Sequence, residues 1–188
     1  MSIAVVANAS TWAWYFSRAT GLVALVLLTG IVVLGVLGPL RVATERWPRF
    51  AIRALHRDVS LLAITVVAIH VIMIMLDQYV HVPLSAAVLP WGSSFKPFWT
   101  GMGALAFDLM IAIVVTSLAR MRLGYTAWRF VHWFAYAAWP LAVAHGLVTG
   151  SDSRKPWVLA LTVACIAIAA IAVAMRAQNG TAAGSLEA

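Results

Sequence analysis

"RALHRDVSLLAITVVAIH", residues 53–70, carries two histidines fourteen residues apart in a run otherwise suited to a lipid bilayer. A bilayer core holds no water to solvate an imidazole, so His56 and His70 need polar partners or a ligand supplied by other segments.

The rest of the chain is of the same kind. Of its 188 residues, 63% are hydrophobic and 10% charged, and the mean hydropathy is +0.94. A soluble domain of this size needs more polar residues to cover its surface. Apolar runs near ~20 residues, which at ~1.5 Å rise per residue match a ~30 Å hydrocarbon core, recur along the whole chain. They predict helices at about 14–38, 54–79, 101–119, 128–149 and 156–175. "LGPL" closes the first, "HVPLSAAVLPWGSSFKPFWTG" separates the second from the third, and "GSDSRKP" separates the fourth from the fifth. The expected fold is an all-α, polytopic membrane helix bundle with five transmembrane helices. Residues 1–13 form the N-terminus outside the membrane domain at 14–175, and 176–188, "RAQNGTAAGSLEA", is small and polar enough to read as a disordered cytoplasmic tail.

Charge sets the direction. The net charge of +7 is not a nucleic-acid footprint, because five of the eleven arginines fall between 41 and 57, in a connection between two spans. Placing that connection, the 3–4 loop and the C-terminus on one side puts nine of the thirteen Lys and Arg residues there. The positive-inside rule then gives N-out, C-in. Trp12, Trp14, Trp47, Trp91, Trp99, Trp128 and Trp157 fall near the predicted interfaces, as an aromatic belt does. The single Cys165 lies in an apolar run and reads as a small buried hydrophobe. The N-terminus has no positive charge ahead of its first apolar run and does not read as a cleaved signal peptide.

Helix 4, "WRFVHWFAYAAWPLAVAHGLVTG", carries His132 and His145, thirteen apart, as helix 2 carries His56 and His70. Both helices run in the same direction, so His56 and His132 share an inner depth and His70 and His145 an outer one, roughly 20 Å away by helix rise. Two cross-helix pairs at two depths suit bis-imidazole ligation of two stacked haems. A zinc site would instead need three or four ligands converging on one point. Without C-x-x-C-H there is no covalent attachment, so the haems are expected to be b-type. Single histidines in membrane helices commonly just bridge neighbouring helices; four with matched depths point to the cofactor.

Arg53 precedes His56 by three residues, and Arg129 precedes His132 by three. That spacing places each guanidinium on its histidine's face, one turn nearer the cytoplasm, where it can clamp an inner haem's propionates. Arg18, in the first outer turn of helix 1, can serve the outer haem likewise, although all three arginines also suit lipid headgroups. At ~100° per residue, fourteen residues return to within about 40° of the starting face, but thirteen do not. Pro140, between His132 and His145, distorts the local helix, and a tilt or a kink of helix 4 can re-aim His145. Asp108, an acid inside helix 3, is a functional suspect that can hydrogen-bond near the outer haem, pair with Arg18 or relay a proton. His81 reads as an interfacial residue, and Trp139 as packing between the two haem depths.

The run "VTSLARMRLGYTAWRFVHWFAYAAWPLAVAHG" resembles the signature of ferric reductase-like transmembrane domains, a superfamily that includes ferric reductases, the membrane part of NADPH oxidases and the haem membrane subunit of a bacterial methionine-sulfoxide reductase system. "SRAT" at 17–20 is similar to the family's arginine motif near the outer haem. The resemblance covers about residues 14–150. It implies two haems b bridging the same two helices, with His56, His132, His70 and His145 as iron ligands. It departs from the family in showing five helices where six are usual, and in the lack of a flavin and nicotinamide domain after helix 5. "GMGALA" at 101–106 opens a membrane helix with no strand before it and is not a dinucleotide site.

The expected function is therefore a di-haem b-type cytochrome in the cell membrane, read as a bacterial plasma membrane. It moves electrons from a cytoplasmic flavoprotein reductase or a quinol to an extracytoplasmic acceptor: a partner redox protein, ferric iron or oxygen. Bis-histidine ligation leaves no open iron position, which suits electron transfer. Two alternatives stay open: a quinol-oxidising cytochrome b anchor subunit of a larger complex, and a haem-free transporter or scaffold. Quinone-dependent haem reduction marks the first, and a colourless purified protein the second.

Overall fold

The structure, a computed structural model, describes residues 3–38, 48–77 and 82–184, apart from the side chains of 3–11, 37 and 179–184. The described residues are helical and connecting segments with no strand. The helices are α1 (Ile3–Leu37), α2 (Arg49–Leu76), α3 (Pro97–Leu118), α4 (Arg120–Leu123), α5 (Tyr125–His132), α6 (Ala135–Thr149) and α7 (Pro156–Gly184), with a 3₁₀ turn at Leu84–Ala87. The all-α membrane bundle expected from the sequence is what forms.

Burial is arranged as a bilayer requires. The buried set is made mostly of small side chains, among them Ala24, Ala63, Ala104, Ala138, Cys165 and Ala169, while Leu62, Ile72, Val163 and Ile171 lie exposed. In lipid, large apolar side chains need no cover, and small ones let helix backbones approach. Cys165 is buried and free, as its apolar context implied. α1 packs most extensively on α2, α3 on α6, and α1 also against α6 and α7. Two hairpins, α1–α2 and α3–α6, thus form the bundle, with α7 laid on α1.

Several boundaries differ from expectation. Among the described residues, four uninterrupted helical stretches are long and apolar enough to cross a membrane: Trp12–Val36, Arg49–Leu76, Pro97–Leu118 and Pro156–Gln178. The fourth predicted span, 128–149, is divided between α5 and α6 by a break at Trp133 and Phe134. α1 begins at Ile3 rather than 14, since "AVVANAS" contains no helix breaker, and α7 continues to Gly184 through a segment expected to be disordered. Ala, Met, Arg and Gln, all good helix formers, carry it past residue 175. His81, Arg41, Arg46 and Trp47 lie outside the described residues.

The break in the fourth span has a readable cause. Pro140 lacks an N–H, and its ring presses on the carbonyl of Tyr136. The turn before it rewinds: the amides of Phe134, Tyr136 and Ala137 donate to the carbonyls three residues back, Val131, Trp133 and Phe134, at 3.0–3.1 Å, while Trp133 shares its N–H between the carbonyls of Arg129 at 3.2 Å and Phe130 at 3.3 Å. The distortion therefore sits about one turn ahead of the proline rather than at it. Earlier in the chain, Gly124, with φ 78°, turns α4 into α5, in a backbone region that glycine adopts without strain.

Candidate functional site

The overwound turn eases the phase problem in the fourth span. Thirteen α-helical residues at ~100° each leave His145 about 140° short of the face of His132. A 3₁₀ residue turns ~120°, so three such steps recover about 60° of that shortfall. Both histidines of the broken span meet the histidines of α2. The imidazole centroids of His56 and His132 are 6.2 Å apart with planes at 59°, and those of His70 and His145 are 6.5 Å apart with planes at 88°.

These separations can be tested against a metal. An imidazole nitrogen binds at ~2.0–2.1 Å, and each ring centre lies roughly 1 Å farther out. One iron between two opposed imidazoles therefore spaces their centres by about 6 Å. Both pairs fit. Among the described residues no group of three or more His, Cys, Asp and Glu side chains converges as a closed zinc site would require.

The ring tautomers of the outer pair follow from their acceptors. His70 Nδ1 lies 2.6 Å from the carbonyl oxygen of Ser17, and His145 Nδ1 lies 2.8 Å from that of Trp99. A carbonyl oxygen can only accept, so each Nδ1 carries the proton and each Nε2 keeps its lone pair free for a metal. Between these two rings lies a cavity of about 320 Å³, bounded by Arg18, His70, Phe107, Met110 and His145, within the ~300–1,000 Å³ typical of cofactor sites. In the inner pair, neither Nδ1 has a hydrogen-bond partner among the described residues. The Ile31 carbonyl lies near the His56 ring, but the bond does not reach hydrogen-bonding geometry.

Glycines admit three of the four rings, and sequence reading missed all three. A Cβ on Gly103 would stand 2.5 Å from His145 Nδ1, one on Gly21 would stand 3.0 Å from His70 Cε1, and one on Gly35 would stand 3.5 Å from His56 Cε1. Each glycine follows by four residues the carbonyl its histidine faces: Ser17 and Gly21, Trp99 and Gly103, Ile31 and Gly35. One helical turn separates such residues along a single face, so the missing Cβ opens the path to the carbonyl. The signal was present in the sequence: Gly21 and Gly35 are fourteen apart, as His56 and His70 are.

The arginines divide. Arg18 borders the outer cavity, but its Nε faces Asp152 Oδ2 at 3.3 Å, and its guanidinium lies 5.8 Å from the Trp14 ring centre. Asp152 also pairs with Lys155 at 3.0 Å. The sequence had suggested Asp108 as one partner for Arg18; the carboxylate that meets it comes instead from the α6–α7 connection. Arg53 and Arg129 are exposed on the turns preceding His56 and His132, with Arg129 Cζ 5.9 Å from the Tyr125 ring centre. Asp108 is half-buried on α3. Trp139 lies between the two levels, where its Nε1 donates to Thr29 Oγ1 at 3.1 Å and pins α6 to α1.

Fold and site together define a multi-pass, all-α membrane protein with two tiers of facing histidines. Residues 20–143 match the family described as ferric reductase like transmembrane component, and the chain belongs to that family. A curated relative, the protein-methionine-sulfoxide reductase heme-binding subunit MsrQ of Caulobacter vibrioides, is 35% identical over 109 residues, covering 54% of this chain and 48% of the relative. The chain thus matches about half the length of that relative. No solved structure matches it.

Proposed function

We propose that this protein is the haem-binding, electron-transferring membrane subunit of an oxidoreductase, with two haems b, one held by His56 and His132 and the other by His70 and His145. The observation that carries the reading is the pair of ring separations, 6.2 and 6.5 Å, each suited to one iron. Bound there, the haems would supply one-electron redox chemistry, with the four histidines as the residues that would hold their iron.

The chain's own residues do the holding. The carbonyls of Ser17 and Trp99 fix the outer imidazoles with Nε2 toward the cavity. Arg18 at the cavity edge, and Arg53 and Arg129 one turn beyond the inner pair, supply guanidinium groups for propionates. In an N-out, C-in orientation the inner tier faces the cytoplasm and receives electrons from a flavoprotein reductase or a quinol. The outer tier delivers them to an extracytoplasmic redox protein, a reading supported by the relative's name as a reductase subunit.

Haem content per chain and a reduced-minus-oxidised spectrum of the purified protein test this. Two low-spin b haems are expected, falling to one in His70→Ala and in His132→Ala. A colourless protein after expression with ample haem would end the electron-transfer reading.

A further inference from the structure

The four histidines are not held alike. Three face a carbonyl opened by a glycine four residues later, two of them on α1 at Gly21 and Gly35. On α3 the residue fourteen beyond Gly103 is Ser117. The backbone ahead of it repeats that ahead of Gly21. Thr20 Oγ1 donates to the carbonyls of Phe16 and Ser17 at 2.7 and 3.1 Å, and Thr116 Oγ1 donates to those of Ala112 and Ile113 at 2.7 and 3.2 Å. Ser117 therefore stands where the arrangement elsewhere places a glycine.

What the serine does instead is visible. Its Oγ accepts the indole N–H of Trp128 at 3.1 Å. The Trp128 ring lies over His132, with centroids 5.0 Å apart and planes at 32°. The two are i and i+4 on α5, a spacing that stacks side chains on one face. Arg120 Cζ is 5.2 Å from the Trp128 ring centre, and His132 Nδ1 has no hydrogen-bond partner among the described residues.

We infer that Trp128, held by Ser117, is the positioning residue of His132: the indole face sets the plane of the inner imidazole, as a glycine-opened carbonyl sets the planes of the outer two. The inference rests on the proposed ligation of an inner haem by His132. A stacked ring orients the imidazole without drawing on its Nδ1 proton. His132 is thus fixed in angle while remaining a weaker electron donor than a carbonyl-bonded histidine.

The test uses the full-length protein loaded with haem, with the outer haem as reference in the same molecule. Electron paramagnetic resonance of low-spin ferric haem responds to the angle between the axial imidazole planes, and a redox titration reads each haem's potential. Trp128→Leu is expected to displace or broaden the inner signal and to shift the inner potential, leaving the outer signal in place. Trp128→Phe keeps an aromatic face and is expected to restore the inner signal, which also decides the matter if the leucine variant fails to accumulate. An inner signal and potential unmoved in Trp128→Leu, or an inner signal lost in Trp128→Phe with the outer one intact, overturns the inference alone. A wild-type protein with no inner low-spin signal overturns the ligation and the inference with it.

Discussion

Gly103 of α3 lies so close to the His145 imidazole that a Cβ there would stand 2.5 Å from Nδ1, 2.6 Å from Cε1 and 2.8 Å from Cγ. Three such contacts leave a Cβ no room while Nδ1 stays on the Trp99 carbonyl. At Gly21 the corresponding distances to His70 Cε1 and Nδ1 are 3.0 and 3.2 Å, and at Gly35 those to His56 Cε1 and Nδ1 are 3.5 and 3.9 Å. Alanine substitutions are therefore expected to form a graded series. Gly103→Ala should lose the outer haem, Gly21→Ala should lower its occupancy, and Gly35→Ala should leave the inner one near wild type. Overpacking of this kind costs about 1–3 kcal/mol where the structure cannot shift. Haem content and the spectrum of each purified variant check the order, and equal loss at all three positions would contradict it.

How much of this was legible in the sequence depends on the scale of the feature. The membrane class and the histidine tiers were readable, because a hydrophobic period and a polar residue within it are local. The geometry that seats the rings was not. Gly103 was seen only as part of "GMGALA", a motif weighed for nucleotides, since nothing local says that a histidine 42 residues later in the chain will pack on it. Pro140 was correctly suspected of distorting the fourth span, yet the overwinding falls in the turn before it, where the displaced carbonyl has to find room. The partner of Arg18 was misplaced for a similar reason: Asp152 lies in a connection, and connections carry no periodicity from which to read a contact.

The two tiers should differ in potential. In the outer pair both Nδ1 protons go to backbone carbonyls, which makes the ligands more electron-rich and stabilises ferric iron. In the inner pair neither Nδ1 is hydrogen-bonded among the described residues. A redox titration is expected to resolve two transitions, the outer haem being the more negative. His70→Ala, by removing one transition, assigns them; removal of the more positive one would reverse the expectation.

Pro140→Ala restores the N–H that the proline lacks and removes the pressure on the Tyr136 carbonyl. The turn at 133–137 is then free to relax toward α-helix, losing up to about 60° of the rotation that brings His145 round. The variant is expected to keep the inner haem, to lose part of the outer one, and to gain thermal stability if the helix becomes continuous. Full retention of both haems would mean that packing alone holds the overwound turn.

Asp152 clasps the α6–α7 connection to α1 through Arg18 while also holding Lys155. The Lys155 hydrogen bond, above all, keeps the Asp152 carboxyl below the ordinary carboxylate range, and the Arg18 charge adds to it against the desolvation that pushes the other way. A carboxyl with a depressed pKa contributes stability that is fully present above its unfolded value, ~3.9, and is lost as pH falls through the lower folded value. Thermal melts in detergent should therefore show the contribution of this clasp unchanged between pH 7 and 5, with its loss confined to more acid solution. Asp152→Asn is expected to lower the melting temperature at pH 7 by an amount matching about 0–1 kcal/mol for a partly exposed pair, and to abolish the part of the acid response that Asp152 carries. Lys155→Ala, which removes the largest cause of the shift, should move that acid response upward toward the ordinary carboxylate range. An acid response unchanged in both variants would assign it to other carboxylates and leave the clasp without a measurable share of the stability.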